Sequence, residues 1–332
     1  MAARSHPFPV EFVPLRALRP GSLDSLLAEQ TEAWSDSFDW DFRGSADLIR
    51  GFANTQSLEG MAIVLGDEVL GYTYLSIEDR RGLVGDLYVK REYARTDLAS
   101  HLLSRSVEEL LENWNCTRVE TQLMLNDPSL LRNSLAFGKP PECFDRNFMV
   151  LGGNKLLLPA RYVQPTIRIE PFQDRLEEEA ARLLTECYAG HIDSSINSQY
   201  RGVPGARKFL RNIVKYPGCG TFSYTASFGA RDLNKNRLVG LSLASRISEQ
   251  AGHITQLCVS PRFRSEGLGY ELVRQSVQAL ALQGATRVSL SVTTQNRIAV
   301  GLYEHIGFEK TKTFVAMVWE KPQGLHRRFF PF

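Results

Sequence analysis

The chain runs through one order of secondary-structure elements twice, and that repeat narrows the fold more than any other feature. In the second half, "TIRIEPF" reads as a strand, "RLEEEAARLLTECYAG" as an amphipathic helix closed by Gly190, and "GARKFLRNIVKYPG" as a helix stopped at Pro217 and Gly218. The strands "TFSYTASFGARD", "RLVGLSLASRISE" and "HITQLCVS" follow, the first two joined through "LNKN". A helix over about 267–282, a strand "TRVSLSVT", a short helix over about 297–305 and a strand pair around "FEKTKTFVAMVWEK" complete the half. The first half offers the strand "EFVPLRAL", helices "SLDSLLAEQTEAW" and "SADLIRGFA", and strands "MAIVLG", "VLGYTYLSIED" and "GLVGDLYV". A long helix "DLASHLLSRSVEELLENW", a strand "RVETQLML" and a helix near "PSLLRNSLAFG" end it. Gly71 answers Gly240 and Val89 answers Val259 at a nearly constant offset, the mark of a tandem duplication. Gly152, Gly153, Pro159 and Pro165 punctuate a connector, so the expected division is a first domain over 1–152, a linker over 153–165 and a second domain over 166–332.

Length and composition agree with two soluble α/β domains. At 332 residues the chain exceeds one compact domain of about 100–150 residues. A net charge of +2, with Lys and Arg spread along the chain, gives no groove for a nucleic acid. No segment approaches the ~18 apolar residues of a membrane span. "MAARSHPFPVEFVPL" has prolines and a Glu where a secretory apolar core would lie. Cys116, Cys143, Cys187, Cys219 and Cys258 are scattered, with no metal spacing, as expected of reduced thiols in a cytoplasmic protein that holds no metal. The tail "GLHRRFFPF" reads as a terminus anchored by its aromatics.

One stretch of the second half carries chemistry. In "TQLCVSPRFRSEGLGYEL" a strand swings through an Arg-x-x-Gly-x-Gly turn into a helix. Such a turn presents free backbone N–H groups at the positive end of a helix dipole, which is an anion site. Gly267 and Gly269 let a phosphate approach the backbone, and Arg264 supplies a cation beside it, an arrangement suited to a pyrophosphate.

"VSPRFRSEGLG", with an apolar strand before it and "NRIAVGLYEHIGF" after it, resembles the GNAT superfamily of acyl-coenzyme A-dependent N-acyltransferases over about residues 166–322. The resemblance implies two tandem GNAT-like domains, each a mixed, largely antiparallel twisted sheet flanked by helices. It also implies transfer of an acetyl or other short acyl group from acetyl-CoA to a primary amine. It assigns the coenzyme A pyrophosphate to the turn Arg264, Ser265, Glu266, Gly267, Leu268 and Gly269, and the pantetheine arm to Asn296, Ala299, Leu302 and Tyr303. Backbone groups of Leu257, Cys258 and Val259 would pair with the pantetheine amides as an added strand does. Tyr303 stands at the position of the family's general acid toward the coenzyme A sulfur. His253, at the start of the strand entering the turn, is the expected base, with Glu249 and His191 in reserve, and period-two alternation sets Thr255 on its face. Cys258 in an apolar strand reads as inert rather than as an acyl carrier.

The family builds its acceptor side from the first two helices and the loop between them. Here that loop is "YAGHIDSSINSQYRGVPGARKF", in which His191, Asp193 and Tyr200 are candidate substrate contacts. In the first copy Ala94, Asp97 and Ala99 stand under Arg264, Gly267 and Gly269, and Asn133 under Tyr303. Asp97 with Thr96 reads as a helix cap in place of a ligand site, so this copy is expected to be degenerate, shaping structure or substrate rather than catalysing. A small-molecule amine is the favoured acceptor, with neither nucleic acid nor membrane as partner. The alternative function is an acyl-CoA sensor or partner-recruiting pseudoenzyme without turnover.

Overall fold

A computed structural model of the chain describes residues 10–321. The "MAARSHPFP" segment and the tail "GLHRRFFPF", about which expectations were stated above, lie outside the described residues. Two compact units divide what is described: residues 10–38, 42–145 and 313–321 form the first, and 39–41 with 146–312 form the second.

The first unit runs β1 (Glu11–Pro14), α1 (Asp24–Phe38), α2 (Arg43–Asn54), β2 (Gly60–Leu65), β3 (Glu68–Glu78), β4 (Arg81–Val89), α3 (Leu98–Glu112), β5 (Arg118–Leu123) and the single turn α4 (Pro128–Leu131). The second takes up β6 (Glu142–Gly152), β7 (Ile167–Pro171), α5 (Glu177–Tyr188), α6 (Asp193–Ile196), α7 (Val203–Lys215), β8 (Thr221–Phe222), β9 (Phe228–Asp232), β10 (Arg237–Arg246), β11 (Ala251–Val259), α8 (Leu268–Leu282), β12 (Arg287–Thr293) and α9 (Arg297–Ile306). The chain ends in β13 (Glu309–Glu320).

In the first unit the strands lie in the order β1-β2-β3-β4-β5-β13, and in the second β6-β12-β11-β10-β9-β7 with β8 on β10. Every pairing within them is antiparallel except β4 with β5 and β11 with β12. These are the two mixed, largely antiparallel sheets expected from the repeat.

The division into domains differs from the one read along the sequence. Residues 146–165 belong to the second unit and 313–321 to the first. The cause is hydrogen bonding: β6 pairs with β12 from Gly152–Arg287 to Arg146–Thr293, while β13 pairs with β5 from Val315–Leu123 to Glu320–Arg118. Each unit is thus completed by a strand coded beyond the boundary that punctuation suggests. The connector itself holds a 3-10 turn, Gly153–Leu156, whose Leu156 joins Leu158 in the second unit's core. Smaller differences follow local rules. "TFSYTASFGARD" is broken by a 3-10 turn into β8 and β9, and "FEKTKTFVAMVWEK" is one long strand rather than a pair.

The duplication is visible in the packing. Gly71 pairs with Val89 and Gly240 with Val259. A Cβ on Gly82 would come within 2.9 Å of Leu110 on α3, and one on Gly252 within 2.6 Å of Leu280 on α8. The same strand glycine therefore seats the same helix leucine in both units. Leu102, Leu103, Val107 and Leu110 of α3 are fully buried, as are Leu272, Val273, Val277 and Leu280 of α8. Leu→Ala at such positions typically costs about 2–5 kcal/mol. These helices lock the strand that ends just before each turn.

Candidate active site

The two strands at the centre of the second unit pair and then part. β11 and β12 are bonded in parallel only from Ala251–Arg287 to Ile254–Leu290. A bulge at Leu243/Ala244 of β10 leaves Thr255 out of register, so the alternation expected to carry the His253 face onto Thr255 fails there. Beyond it Gln256, Leu257, Cys258 and Val259 stay bonded to β10 but leave β12, which remains paired with β6. Over the segment assigned to pantetheine pairing β11 therefore has no β12 beside it, and its Leu257 carbonyl accepts from the Tyr188 hydroxyl at 3.4 Å.

The turn after β11 has the conformation its residues imply. Ser265 and Gly267 lie in the left-handed region at φ 64° and 81°, and Gly267 caps α8. The Ser265, Glu266 and Gly267 amides have no hydrogen-bond partner among the described residues. Successive open amides at a helix start form an anion-binding concavity. Arg264 is exposed and braces the turn, with Nε donating to the Val259 carbonyl at 3.1 Å and Nη2 to the Cys187 carbonyl at 3.2 Å. Glu266 is exposed and accepts from Gln164 at 3.1 Å. Leu302 lies where a Cβ on Gly269 would meet it at 3.4 Å, which brings α9 against the turn.

On α9, Asn296 is the helix N-cap, its Oδ1 accepting from the Ala299 amide at 3.2 Å. Its side chain is thus committed to the helix, while Ala299 and Leu302 support the core. Tyr303 is buried, and its hydroxyl has no hydrogen-bond partner among the described residues. Burial, then the charge of Asp193, hold this phenol well above its ordinary pKa, against the opposing charge of Arg146. It keeps its proton across the physiological range.

Around Tyr303 the structure assembles groups that no motif marks. Tyr188 at the end of α5 stacks on Tyr200 at 4.4 Å between ring centres. Gln256 of β11 donates to the Tyr188 hydroxyl at 2.6 Å and accepts from the Tyr200 hydroxyl at 3.2 Å. Both phenols are pushed up by burial first, and in both the Asp193 carboxylate adds to the rise. Asp193 is fixed in turn by the Thr293 hydroxyl at the end of β12. Arg146, whose guanidinium donates to the Ser291 carbonyl at 3.4 Å, enters on β6 opposite Thr293. Its signal was hidden in the sequence because "ECFDRNFMVLG" falls before the apparent boundary. His191 and Tyr200 join Tyr188, Ser194, Ser195 and Arg201 in lining a cavity of about 590 Å³.

His253 does not take the place expected of a base. It lies where β11 is still bonded on both edges, to Ser245 and Ser289, before the strands part. Its Nδ1 shares a hydrogen bond with the Ser289 hydroxyl at 2.9 Å, and its ring sits 5.1 Å from Trp40 and 6.0 Å from Phe148. Burial, with the Arg146 charge, lowers the imidazole to about 3. Enclosed by these rings and by the closed ladder, the imidazole is out of hydrogen-bond reach of an amine at the gap between β11 and β12. Glu249 lies on the exposed β10–β11 turn. The Cys258 thiol is buried and raised by a hydrogen bond with Cys187 and by burial, which favours its protonated form.

The first unit keeps the framework and has lost the turn. β4 and β5 part after Val84–Thr121, and a bulge at Tyr74/Leu75 answers the one in β10. No residue of the turn 90–97 has a positive φ. The capping expected of Asp97 falls to Thr96 instead: Asp97 makes no cap bond and faces His101, while Thr96 Oγ1 accepts from the Leu98 amide at a long 3.4 Å. Three residues before Val89, where Gln256 stands before Val259, the first unit holds Asp86. This carboxyl is buried, accepts from Gln30 at 2.7 Å and from the Leu87 amide at 2.8 Å, and is pushed by burial up to about 7. Asn133, under Tyr303, only hangs over the turn after α4.

Comparison with known proteins fits this geometry. The sequence model of the acetyltransferase (GNAT) family matches residues 22–131 and again 195–308. A mycothiol acetyltransferase of Gordonia bronchialis is 25% identical over 176 residues, 52% of this chain and 53% of that protein. The chain thus spans about half the length of the curated relative it matches. A GCN5-related N-acetyltransferase from Sphaerobacter thermophilus superposes with a TM-score of 0.68 at 16% identity, covering 96% of this chain and 98% of that one. A tandem GNAT protein from the clavulanic acid biosynthesis pathway gives a TM-score of 0.61 at 15% identity, with 95% and 100% covered. These structural likenesses establish the fold.

Proposed function

The chain belongs to the acetyltransferase (GNAT) family, whose members generally use acetyl-CoA, and from that premise we propose that its second unit transfers an acetyl or short acyl group from acetyl-CoA to a primary amine. One observation carries the assignment to this unit: the turn with left-handed Ser265 and Gly267 opens α8 beside the segment of β11 that has parted from β12 here, and its counterpart in the first unit lacks both left-handed residues. The open amides and Arg264 would hold the coenzyme A pyrophosphate. The segment Leu257–Val259 would bond the pantetheine arm as an added strand does.

With the thioester so placed, the amine lone pair attacks the acyl carbon and forms the C–N bond. The C–S bond then breaks with its electron pair leaving on sulfur. Tyr303, protonated and unpartnered, gives the departing sulfur its proton, and the nitrogen's surplus proton restores the phenol. Coenzyme A leaves as a thiol and the amide as product.

The small-molecule acceptor favoured by the sequence is supported by the cavity of about 590 Å³ beside Tyr188 and Tyr200, a volume within the range of small-ligand pockets. Release of free coenzyme A from acetyl-CoA, followed across a panel of primary amines, tests the reading. Turnover dependent on one class of amine is the expected result. Tight coenzyme A binding with no release for any amine would instead favour a sensor.

A further inference from the structure

We propose that Asp193 is the catalytic carboxylate of this site: it receives the acceptor's ammonium group beside Tyr303 and takes its first proton. The proposal rests on the acyl-transfer reading above and names the base that reading lacks.

Three observations lead to it. First, the side chain of Asp193 is 13% exposed, so it is largely desolvated yet open on one side. Second, its position is fixed across elements: the Thr293 hydroxyl donates to Oδ1 from the end of β12, where β12 has parted from β11. The carboxylate thereby stands at the mouth of the gap between β11 and β12. Third, its charge is felt by Tyr303 on α9, by Tyr188 on α5 and by Tyr200 in the following 3-10 turn, all held above their ordinary values in part by Asp193. A desolvated carboxylate anchored by Thr293, with His191 beside it and its charge reaching three neutral phenols, two of which also feel Arg146 of β6, is a receptor for an ammonium group.

The nearest rival is His191, which lines the cavity. The Asp193 amide donates to its Nδ1 at 3.2 Å, so in the neutral ring the proton sits on Nε2 and the basic lone pair is already occupied. Nδ1 also stands 3.7 Å from Oδ2, beyond hydrogen-bond reach, so the ring takes no proton from the carboxylate. In the balanced step the ammonium gives one proton to the carboxylate, the freed lone pair attacks the thioester, and the second proton follows the path through Tyr303 described above.

The test uses the full chain with acetyl-CoA and benzylamine, an aromatic primary amine chosen for the stacked Tyr188–Tyr200 pair. Coenzyme A release gives kcat and KM against pH. Saturation-transfer NMR gives benzylamine affinity for the coenzyme A-loaded protein. Asp193→Asn should lower kcat/KM by about 10²–10⁴-fold and weaken benzylamine binding at least about tenfold. Coenzyme A affinity and the thermal midpoint should hold. Asp193→Glu should restore part of the rate, and Thr293→Val, which only frees the carboxylate, should lower kcat by less than Asp193→Asn does.

An Asp193→Asn protein with wild-type rate, or with wild-type benzylamine affinity, overturns the proposal, as does a wild-type chain that binds no benzylamine. Where wild-type protein binds benzylamine but releases no coenzyme A with any amine, the acyl-transfer reading fails. Asp193 is then judged by binding alone: lost affinity in the Asn variant supports the ammonium site, and unchanged affinity refutes it.

Discussion

Asp86→Asn should make the first unit more stable in mildly alkaline buffer and less sensitive to pH. The buried carboxyl of Asp86 titrates near 7 in the folded chain, against an ordinary value of 3.8. A raised acid binds a proton in the folded state that the unfolded chain has released, so its stabilising contribution is fully present below about pH 3.8 and is lost as pH rises through about 7. Linkage over that interval gives a loss of roughly 2–3 kcal/mol between about pH 5 and about pH 8. Asparagine copies the protonated shape without titrating. Its oxygen keeps the Leu87 amide, and its NH2 can donate to Gln30 once that amide turns over. Gln30 would then donate to the Tyr72 hydroxyl, which at present donates to it at 2.6 Å. Urea unfolding followed by tryptophan fluorescence suits the measurement, because Trp34, Trp114 and Trp319 all belong to the first unit. The stability difference between variant and wild type should grow by those 2–3 kcal/mol from acid to alkaline buffer. A difference constant to within about 0.5 kcal/mol across the range would refute the reasoning.

Calorimetry should find one coenzyme A site per chain, and Gly267→Asp should weaken it at least about tenfold by placing a side chain at φ 81° and a carboxylate beside the pyrophosphate; two sites of similar affinity would contradict the loss of the turn in the first unit. Tyr303→Phe should retain coenzyme A affinity while kcat falls by about 10²–10⁴-fold, and unaltered turnover would remove the phenol from the mechanism. His253→Gln should leave the pH–rate profile in place, since the imidazole is already neutral at working pH. In the wild type this imidazole, at about 3 in the fold against 6.5 ordinarily, contributes stability that is full above about pH 6.5 and declines as pH falls. The variant should therefore lose about 2 kcal/mol less than wild type between about pH 7 and about pH 5.

Sequence patterning exposes what is local. The glycine turn and the short helix with its Asn296 cap can be read directly because backbone chemistry fixes them within a few residues. The correspondence of Gly71 with Gly240 and of Val89 with Val259 survives for a related reason, since a Cβ would meet Val89 at 2.9 Å on Gly71 and Leu272 at 2.8 Å on Gly240. The partners of β6 and β13 were hidden because an apolar strand carries no label for the sheet it joins, and "ECFDRNFMVLG" suits either. His253 was misjudged because its environment comes from Trp40, Phe148 and the still-closed ladder, none of them near it in sequence. Asp86 gives no sign in "GDLYV" of being sealed in. The Asp193 candidacy could be seen only as loop polarity; Thr293 and Tyr303, which give it a role, lie far along the chain.

The placement of β6 and β13 bears on the ancestry of the chain. A duplicated gene ordinarily leaves one copy free to decay or disappear. Here the sheet that bears the second turn takes a strand, and with it Arg146, from residues that precede the connector, while β5 relies on residues from the far end of the chain. Removing the chain on one side of the connector would take β6 from β12 or β13 from β5 and leave that strand short of a partner, an invitation to aggregation. The first copy's turn lacks the left-handed residues of its counterpart, yet the residues before the connector stay bound into the second sheet. Strand exchange alone thus supplies a physical reason to keep both halves in one chain.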